Sequence, residues 1–332
     1  MLLALCVGAA FLASLLLPFA FIPVLRRLGV LDIPNERSSH SKVVIRGVGV
    51  TMAAGVLLGL VLALLTGLVS VDRSIVVILA CVIAAASLLG WIEDFRGVSI
   101  RVRAGLQLLI GVLGTVALVW TMGQSYWWVP VGALAIAAYI NVANFMDGIN
   151  GISGFHGVVT GIFYAVGGVL GDQPWLTVTG AVIAGAFAAF LPWNLGRGSV
   201  FMGDVGSYLL GASIAGTAVA AFLAGVYVEY LLFPVLIYLA DTFSTLLLRI
   251  SRGERWYAAH RQHVYQRLTD TGLSHLQAAG LVTGCSILAG TAGLAVAGSS
   301  DVMKVAGSIF ALAVVVFYLA SPRIFGRRRA RV

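Results

Sequence analysis

The sequence predicts an all-α integral membrane protein of about eleven transmembrane helices, with its N-terminus outside, its C-terminus in the cytoplasm and its chemistry in the cytoplasmic loops. Three observations predict this. The 332 residues are 60% hydrophobic and only 10% charged, with a mean hydropathy of +1.01, far from the averages of soluble domains. Apolar runs of about 20 residues, the length that crosses ~30 Å of hydrocarbon as helix, recur along the whole chain. The basic residues collect in alternate connections between those runs.

The first run covers residues 2 to 25. It lacks a basic n-region and a small-residue cleavage site, and Pro18 and Pro23 fall near its end, so it reads as a retained helix and not as a signal peptide. The others span 47 to 67, 74 to 92, 104 to 122, 126 to 140, 152 to 170, 175 to 193, 207 to 224, 228 to 248, 277 to 297 and 303 to 322. Barrel strands would be ~10 residues of alternating polarity, which these runs are not. No soluble domain is left over, so residues 1–332 read as a single polytopic unit. Cys6, Cys81 and Cys285 all lie inside spans, read as core residues, and form no CxxC spacing.

A formal charge of +8 would suit nucleic acid, but the basic residues follow membrane topology instead. Of 21, only Arg73 and Lys304 fall in the even-numbered connections. The positive-inside rule then places the C-terminal tail, with Arg323 to Arg331, in the cytoplasm. Trp120, Tyr126, Trp127, Trp128, Trp175, Tyr227 and Tyr230 sit near the outer span ends and read as interfacial anchors.

Every polar cluster of note lies in a cytoplasmic connection. The first, 32 to 49, carries Ser38, His40, Lys42 and Arg46 before two glycines. Such groups suit a phosphate; they equally suit a basic loop drawn to acidic lipid headgroups. The second, 93 to 103, opens on Glu93 and Asp94, whose adjacent carboxylates suit metal binding or general-base work, or a salt bridge to Arg96 or Arg101. The third, Asn141 to Gly151, reads NVANFMDGING. Polar residues beside hydrocarbon are costly unless they line a water-filled cavity, although the same residues also make ordinary turns. In the fourth, 194 to 211, Asp204 stands between Gly203 and Gly206 at a span start, where a phosphate and a divalent cation could approach or the Asp could cap the helix.

The fifth cluster, 249 to 268, includes RWYAAHRQHVYQRL. If its second half is helical, His260, His263 and Arg267 share a face, with Arg261 and Tyr265 on the adjacent one. Turned inward they would make an anion site; turned outward, an interfacial anchor. Asp241, inside the ninth span, should be paired with a neighbouring helix or turned toward the site. His156 and His275 read as surface or helix-end residues. No P-loop, HExxH, GxSxG or EF-hand signature occurs.

PNERSSH with its RGVG, the acidic pair ED, NVANFMDGING, FMGDVGSYLLG and HRQHVYQRL occur in this order over nearly the whole chain. The set resembles the polyprenyl-phosphate N-acetylhexosamine-1-phosphate transferase family, glycosyltransferase family 4, and is most similar to the branch that starts O-antigen-type glycans. Three departures stand out: Glu93 replaces the first of a usual aspartate pair, VIRGVG lacks the usual proline, and Asn150 stands where the pattern has a third acidic residue.

The resemblance implies a multi-pass enzyme of the bacterial inner membrane. It would move N-acetylhexosamine-1-phosphate from a UDP-sugar to undecaprenyl phosphate, among membrane lipids, releasing UMP and starting a lipid-linked envelope glycan; a homodimer is left open. It further implies that Asp204 and Asn144 hold Mg²⁺, with Mn²⁺ as a substitute. Phe201 would stack on uracil and Asn150 bond its edge. Glu93, Asp94 and Asp147 would be essential polar residues, and His260, Arg261 and His263 would meet the pyrophosphate or sugar; Arg267, Arg46, Ser38 and His40 complete the expected substrate contacts.

A phosphomonoester with a second pKa near ~6 is mostly ionised at neutral pH. That favours direct in-line attack, with a covalent aspartyl-phosphate as the rival. A transporter or lipid-binding protein with a cytoplasmic polar cavity is the alternative from another class; it would show a repeat relating two halves and polar groups near mid-membrane, of which Asp241 alone is present.

Overall fold

In the computed structural model, residues 1–32, 43–196, 200–254 and 260–329 are described, the side chains of 327–329 excepted. The chain is a helical bundle. Its elements are α1 (Leu2–Arg27), β1 (Leu31–Asp32), β2 (Val44–Ile45), α2 (Gly49–Leu65), α3 (Arg73–Arg96), α4 (Ile100–Met122), α5 (Trp128–Met146), α6 (Ile152–Leu170) and α7 (Pro174–Leu195). Then follow α8 (Gly203–Leu223), α9 (Val228–Leu232), a 3₁₀ turn (Phe233–Val235), α10 (Leu236–Ser251), α11 (Val264–Asp270), α12 (His275–Val296) and α13 (Asp301–Arg329).

Ten helical segments among the described residues are long and apolar enough to cross a membrane, the α9–α10 pair counting as one. The protein is therefore multi-pass. Each of the eleven apolar runs coincides with a helix, but α2 has only 17 residues and is the short member.

Local chemistry sets the ends. Pro174 opens α7, where its missing N–H costs nothing. Pro234 sits in the 3₁₀ turn that parts α9 from α10, since it can neither donate nor let the helix run through unbroken.

Lipid offers apolar side chains no hydrophobic gain from packing together, so close backbone approach replaces it. Between α6 and α7, a Cβ on Gly161 would lie 2.6 Å from the Gly180 carbonyl. The helix at the centre is α8, buried along most of its length, whereas α1 and α13 at the periphery are largely exposed on the bundle exterior. It packs on α3 and α5, and its N-terminus is therefore at the middle of one end of the bundle.

Several expectations need correction. Trp175 and Tyr230 are buried, not interfacial, whereas Trp120 and Trp127 are exposed. Trp175 instead turns its indole N–H to the Gln173 side chain. Cys81 is exposed on the bundle exterior while Cys6 and Cys285 are core. His156 is no surface residue: it is buried, stacked on Tyr238 at 3.6 Å, with its Nε2 2.8 Å from the Tyr139 hydroxyl.

Candidate active site

Two short backbone pieces are zipped together at the central end. β2 pairs antiparallel with β1, and Ile45 also bridges in parallel to Val200. Phe201 N–H donates to the Ile45 carbonyl at 2.9 Å, and Gly49 N–H to the Met202 carbonyl at 2.9 Å. The first and fourth loops are thereby registered against each other. Arg46 is delivered beside Asp204 as a result.

The start of α8 rests on a carboxylate. Gly203 takes φ +72°, a conformation that L side chains resist, and a Cβ there would meet the Asp94 carboxylate and the Gly47 amide. Behind it the N–H groups of Asp204 and Val205 donate to Asp94 Oδ1 and Oδ2 at 2.9 and 3.0 Å. A negative side chain at a helix N-terminus satisfies orphan donors and meets the positive end of the dipole. Asp94, its side chain fully buried, thus caps α8 from α3.

Arg46 completes the arrangement. Its Nε lies 2.6 Å from Asp94 Oδ1 and its Nη2 2.5 Å from Asp204 Oδ2. Asn144, from the end of α5, donates its amide nitrogen to Asp204 Oδ1 at 2.7 Å and to Ser207 Oγ at 3.1 Å. The structure thus brings four of the five sequence clusters onto one pair of carboxylates. Glu93 turns away and pairs with Arg103 at 3.2 Å, so the two adjacent carboxylates are met by different arginines. Neither is Arg96 or Arg101.

Asp147 follows α5 and accepts a hydrogen bond from Ser153 Oγ at 2.8 Å. Burial pushes its carboxyl up to about 7 against that hydrogen bond, and Asp204 adds to the rise. Its proton is therefore exchangeable at neutral pH. Asn150 directs its N–H toward His275 Nδ1 at 3.5 Å, and Gly151 N–H donates to Asn194 Oδ1 at 2.5 Å, tying this loop to α12 and α7.

The fifth cluster is built differently from the expectation. α11 begins at Val264 with His263 as its N-cap, so His260 and Arg261 precede the helix and no single helical face carries His260, His263 and Arg267. The rings of His260 and His263 still stack, 4.8 Å apart. Burial, then His263 and Arg249, hold His260 down to about 4, which leaves it neutral at pH 7. Arg261 pairs with Asp270 at 3.2 Å, and Arg267 lies half-buried in the last turn of α11.

The Tyr265 hydroxyl donates to the Phe145 carbonyl at 3.0 Å, which joins α11 to the third loop. The same hydroxyl fills the space a Cβ on Gly148 would need. Phe201 is half-buried on the strand edge beside Asp204. Ser38 and His40 lie outside the described residues.

Charge chemistry at the Asp94–Asp204 pair suits a cation, because a guanidinium already bridges it. No three His, Cys, Asp or Glu converge as a metal cage among the described residues. Mg²⁺ needs only one or two protein oxygens when phosphates and water complete its shell, so the donor set fits an ion shared with a phosphate substrate. Asn144 turns its nitrogen to Asp204, and for its oxygen to ligate the amide must rotate.

An apolar cavity of about 430 Å³ lies between α5, α8 and the α9–α10 segment, and Trp128, Tyr139, Phe222, Leu231 and Phe243 are among its walls. The sequence points to Asp241 but not to its partners, and it does not mark Arg103, Ser153, Asn194 or Ser207. Of these, spacing could have shown only Ser207, three positions after Asp204 on a helix.

Comparison with known proteins adds independent information. The model of the family described as "Glycosyl transferase family 4" matches residues 75–222. The chain is 25% identical over 284 residues to the probable undecaprenyl-phosphate N-acetylglucosaminyl 1-phosphate transferase of Bacillus subtilis (strain 168), covering 80% of this chain and 78% of that one. It is 29% identical over 312 residues to the decaprenyl-phosphate N-acetylglucosaminephosphotransferase of Mycobacterium tuberculosis (strain ATCC 25618 / H37Rv), covering 79% and 75%. With the undecaprenyl-phosphate alpha-N-acetylglucosaminyl 1-phosphate transferase of Escherichia coli (strain K12) it shares 24% over 305 residues, covering 86% and 81%.

Proposed function

This chain belongs to glycosyl transferase family 4, and on that footing we propose that it moves an N-acetylhexosamine-1-phosphate from a UDP-sugar to undecaprenyl phosphate, releasing UMP and starting a lipid-linked envelope glycan. The observation that carries the reading is the convergence of Arg46, Asp94, Asn144 and Asp204 at the N-terminus of α8. An arginine for the phosphates, and a carboxylate with an amide beside it for the counter-ion, are what a diphosphate and its cation require.

The reaction brings an anionic phosphate to an already anionic diphosphate, so charge must be neutralised. Mg²⁺, held by Asp204 with Asn144, supplies that neutralisation when bound. Arg46 leaves its carboxylates to clamp a phosphate as the donor arrives. Asp94 keeps the α8 start rigid while this happens. Asp147, with its carboxyl near 7, holds or releases a proton beside the acceptor phosphate. His260, His263 and Arg261 face the sugar or the pyrophosphate, Phe201 stacks on the uracil and Asn150 bonds its edge.

The apolar cavity beside α5 and α10 accepts part of the isoprenoid chain. Arginine placement supports eleven crossings, counting α2, with the N-terminus outside and the site on the cytoplasmic face of the bacterial inner membrane. Purified protein given a panel of UDP-N-acetylhexosamines and undecaprenyl phosphate should release UMP only with Mg²⁺ or Mn²⁺ present. Silence with every sugar of the panel would reject the reading.

A further inference from the structure

The side chain that organises the fifth loop is not in that loop. Asp241 lies ten residues before the end of α10, about 15 Å along the helix, and its side chain is fully buried. A lone carboxylate there is costly unless its lone pairs are filled. Here they are filled from three directions. Oδ1 accepts the Val264 N–H at 3.0 Å and lies 3.0 Å from His263 Nδ1, with Thr245 Oγ1 at 3.3 Å. Oδ2 accepts the Tyr318 hydroxyl at 2.6 Å and the Tyr265 N–H at 3.2 Å.

Two consequences follow from elementary hydrogen bonding. A carboxylate only accepts, so the His263 nitrogen facing it must carry a proton, which in the neutral ring assigns the Nδ1–H tautomer and leaves Nε2 as the atom turned away from Asp241. The N–H groups of Val264 and Tyr265 are the first orphan donors of α11, so the same carboxylate also sets where and in what direction that helix starts. α11 dips into the bundle to reach it, which is tolerated because non-spanning backbone at that depth is enclosed by protein. Tyr318 belongs to α13, a helix at the periphery of the bundle.

We propose that Asp241, clamped by Tyr318, is the positioning residue that fixes His263 in its Nδ1–H form and aims Nε2 at the phosphates or sugar of the donor. The last membrane helix is thereby part of the site's framework. The assignment of His263 to the substrate rests on the function proposed above; the tautomer does not.

Two readouts on the full chain in detergent test this and separate it from that function. Histidine-¹⁵N spectra of native protein, with His263→Gln to identify the signal, should show the Nδ1–H tautomer at His263 and its loss in Asp241→Asn. An Nε2–H tautomer in the native protein, or an unchanged signal in the variant, would overturn the proposal even if the enzyme turns over. In the transfer assay, Asp241→Asn and His263→Gln should each lower kcat/KM on the order of 10-fold or more, and the double variant should be no worse than the poorer single.

An equal loss from Asp241→Asn in the His263→Gln background would mean that Asp241 acts on the fold and not through His263. Should Asp241→Asn fail to fold, Tyr318→Phe carries the same test with a severalfold effect that must likewise vanish without His263. A protein that releases no UMP with any sugar defeats the function alone; the nitrogen spectrum still decides the tautomer.

Discussion

One guanidinium joins two carboxylates at the site, and its removal exposes what each residue contributes. Arg46→Gln leaves Asp94 and Asp204 facing each other with the α8 terminus and the Asn144 amide to offset them. A loss of stability on the order of 1–3 kcal/mol is expected for this half-buried pair, read as a lower melting temperature in detergent. Adding Asp204→Asn should restore most of it; a further drop instead would show that the bridge is incidental. Asp147 offers a pH test. Its carboxyl stands near 7 in the fold and at ~3.9 when unfolded, so the folded chain alone holds the proton between those values. Stability from this group is full at low pH, falls from about 4 to 7 and stays flat above. Asp147→Asn should therefore gain in melting temperature relative to native protein on going from pH 5 to pH 8; a constant difference would place the group in contact with water. The acidic residues are legible in the sequence because carboxylates beside hydrocarbon demand a use. Their partners are not, since Arg46 to Asp204 and Arg103 to Glu93 are contacts that only packing decides.

At the scale of elements the critical piece is the first turn of α8. Gly203→Ala puts a side chain at φ +72° and into the Asp94 carboxylate, which should cost ~1–3 kcal/mol and displace Asp204. Gly216→Ala, further along the same helix, meets side chains only at 3.4 Å or more and should be tolerated. Equal behaviour of the two variants in melting and in UMP release would show that the α8 start is not a fixed point. Hydropathy locates each of the ten long apolar helices and the shorter α2 as well, because lipid imposes length and apolarity directly. It cannot locate α11. Seven residues with a histidine at the cap carry little periodicity, and their helix starts where Asp241, a residue of another element, accepts its first N–H groups. His156, which reads as a surface or helix-end residue, is a core one stacked on Tyr238, a contact that only packing decides.

The whole molecule is arranged so that the five polar connections share one end, and the alternation of spans together with arginine placement makes this legible in the sequence. In protein whose own cysteines have been replaced, a cysteine introduced at Gly97 should react with a membrane-impermeant thiol reagent only after cells are opened, while one at Gly298 should react in intact cells. The opposite pattern would invert the topology. In the proposed reaction a water-soluble nucleotide would meet one end of the bundle and a membrane lipid its flank, and what passes between them is the central claim. The most direct measurement uses a UDP-N-acetylhexosamine labelled in the phosphate next to the sugar, reconstituted protein, undecaprenyl phosphate and Mg²⁺. The label should move into the lipid fraction together with the sugar, leave UMP unlabelled, and do neither in Asp204→Asn. Label retained on the nucleotide while sugar reaches the lipid would contradict the transfer of a sugar phosphate by this site.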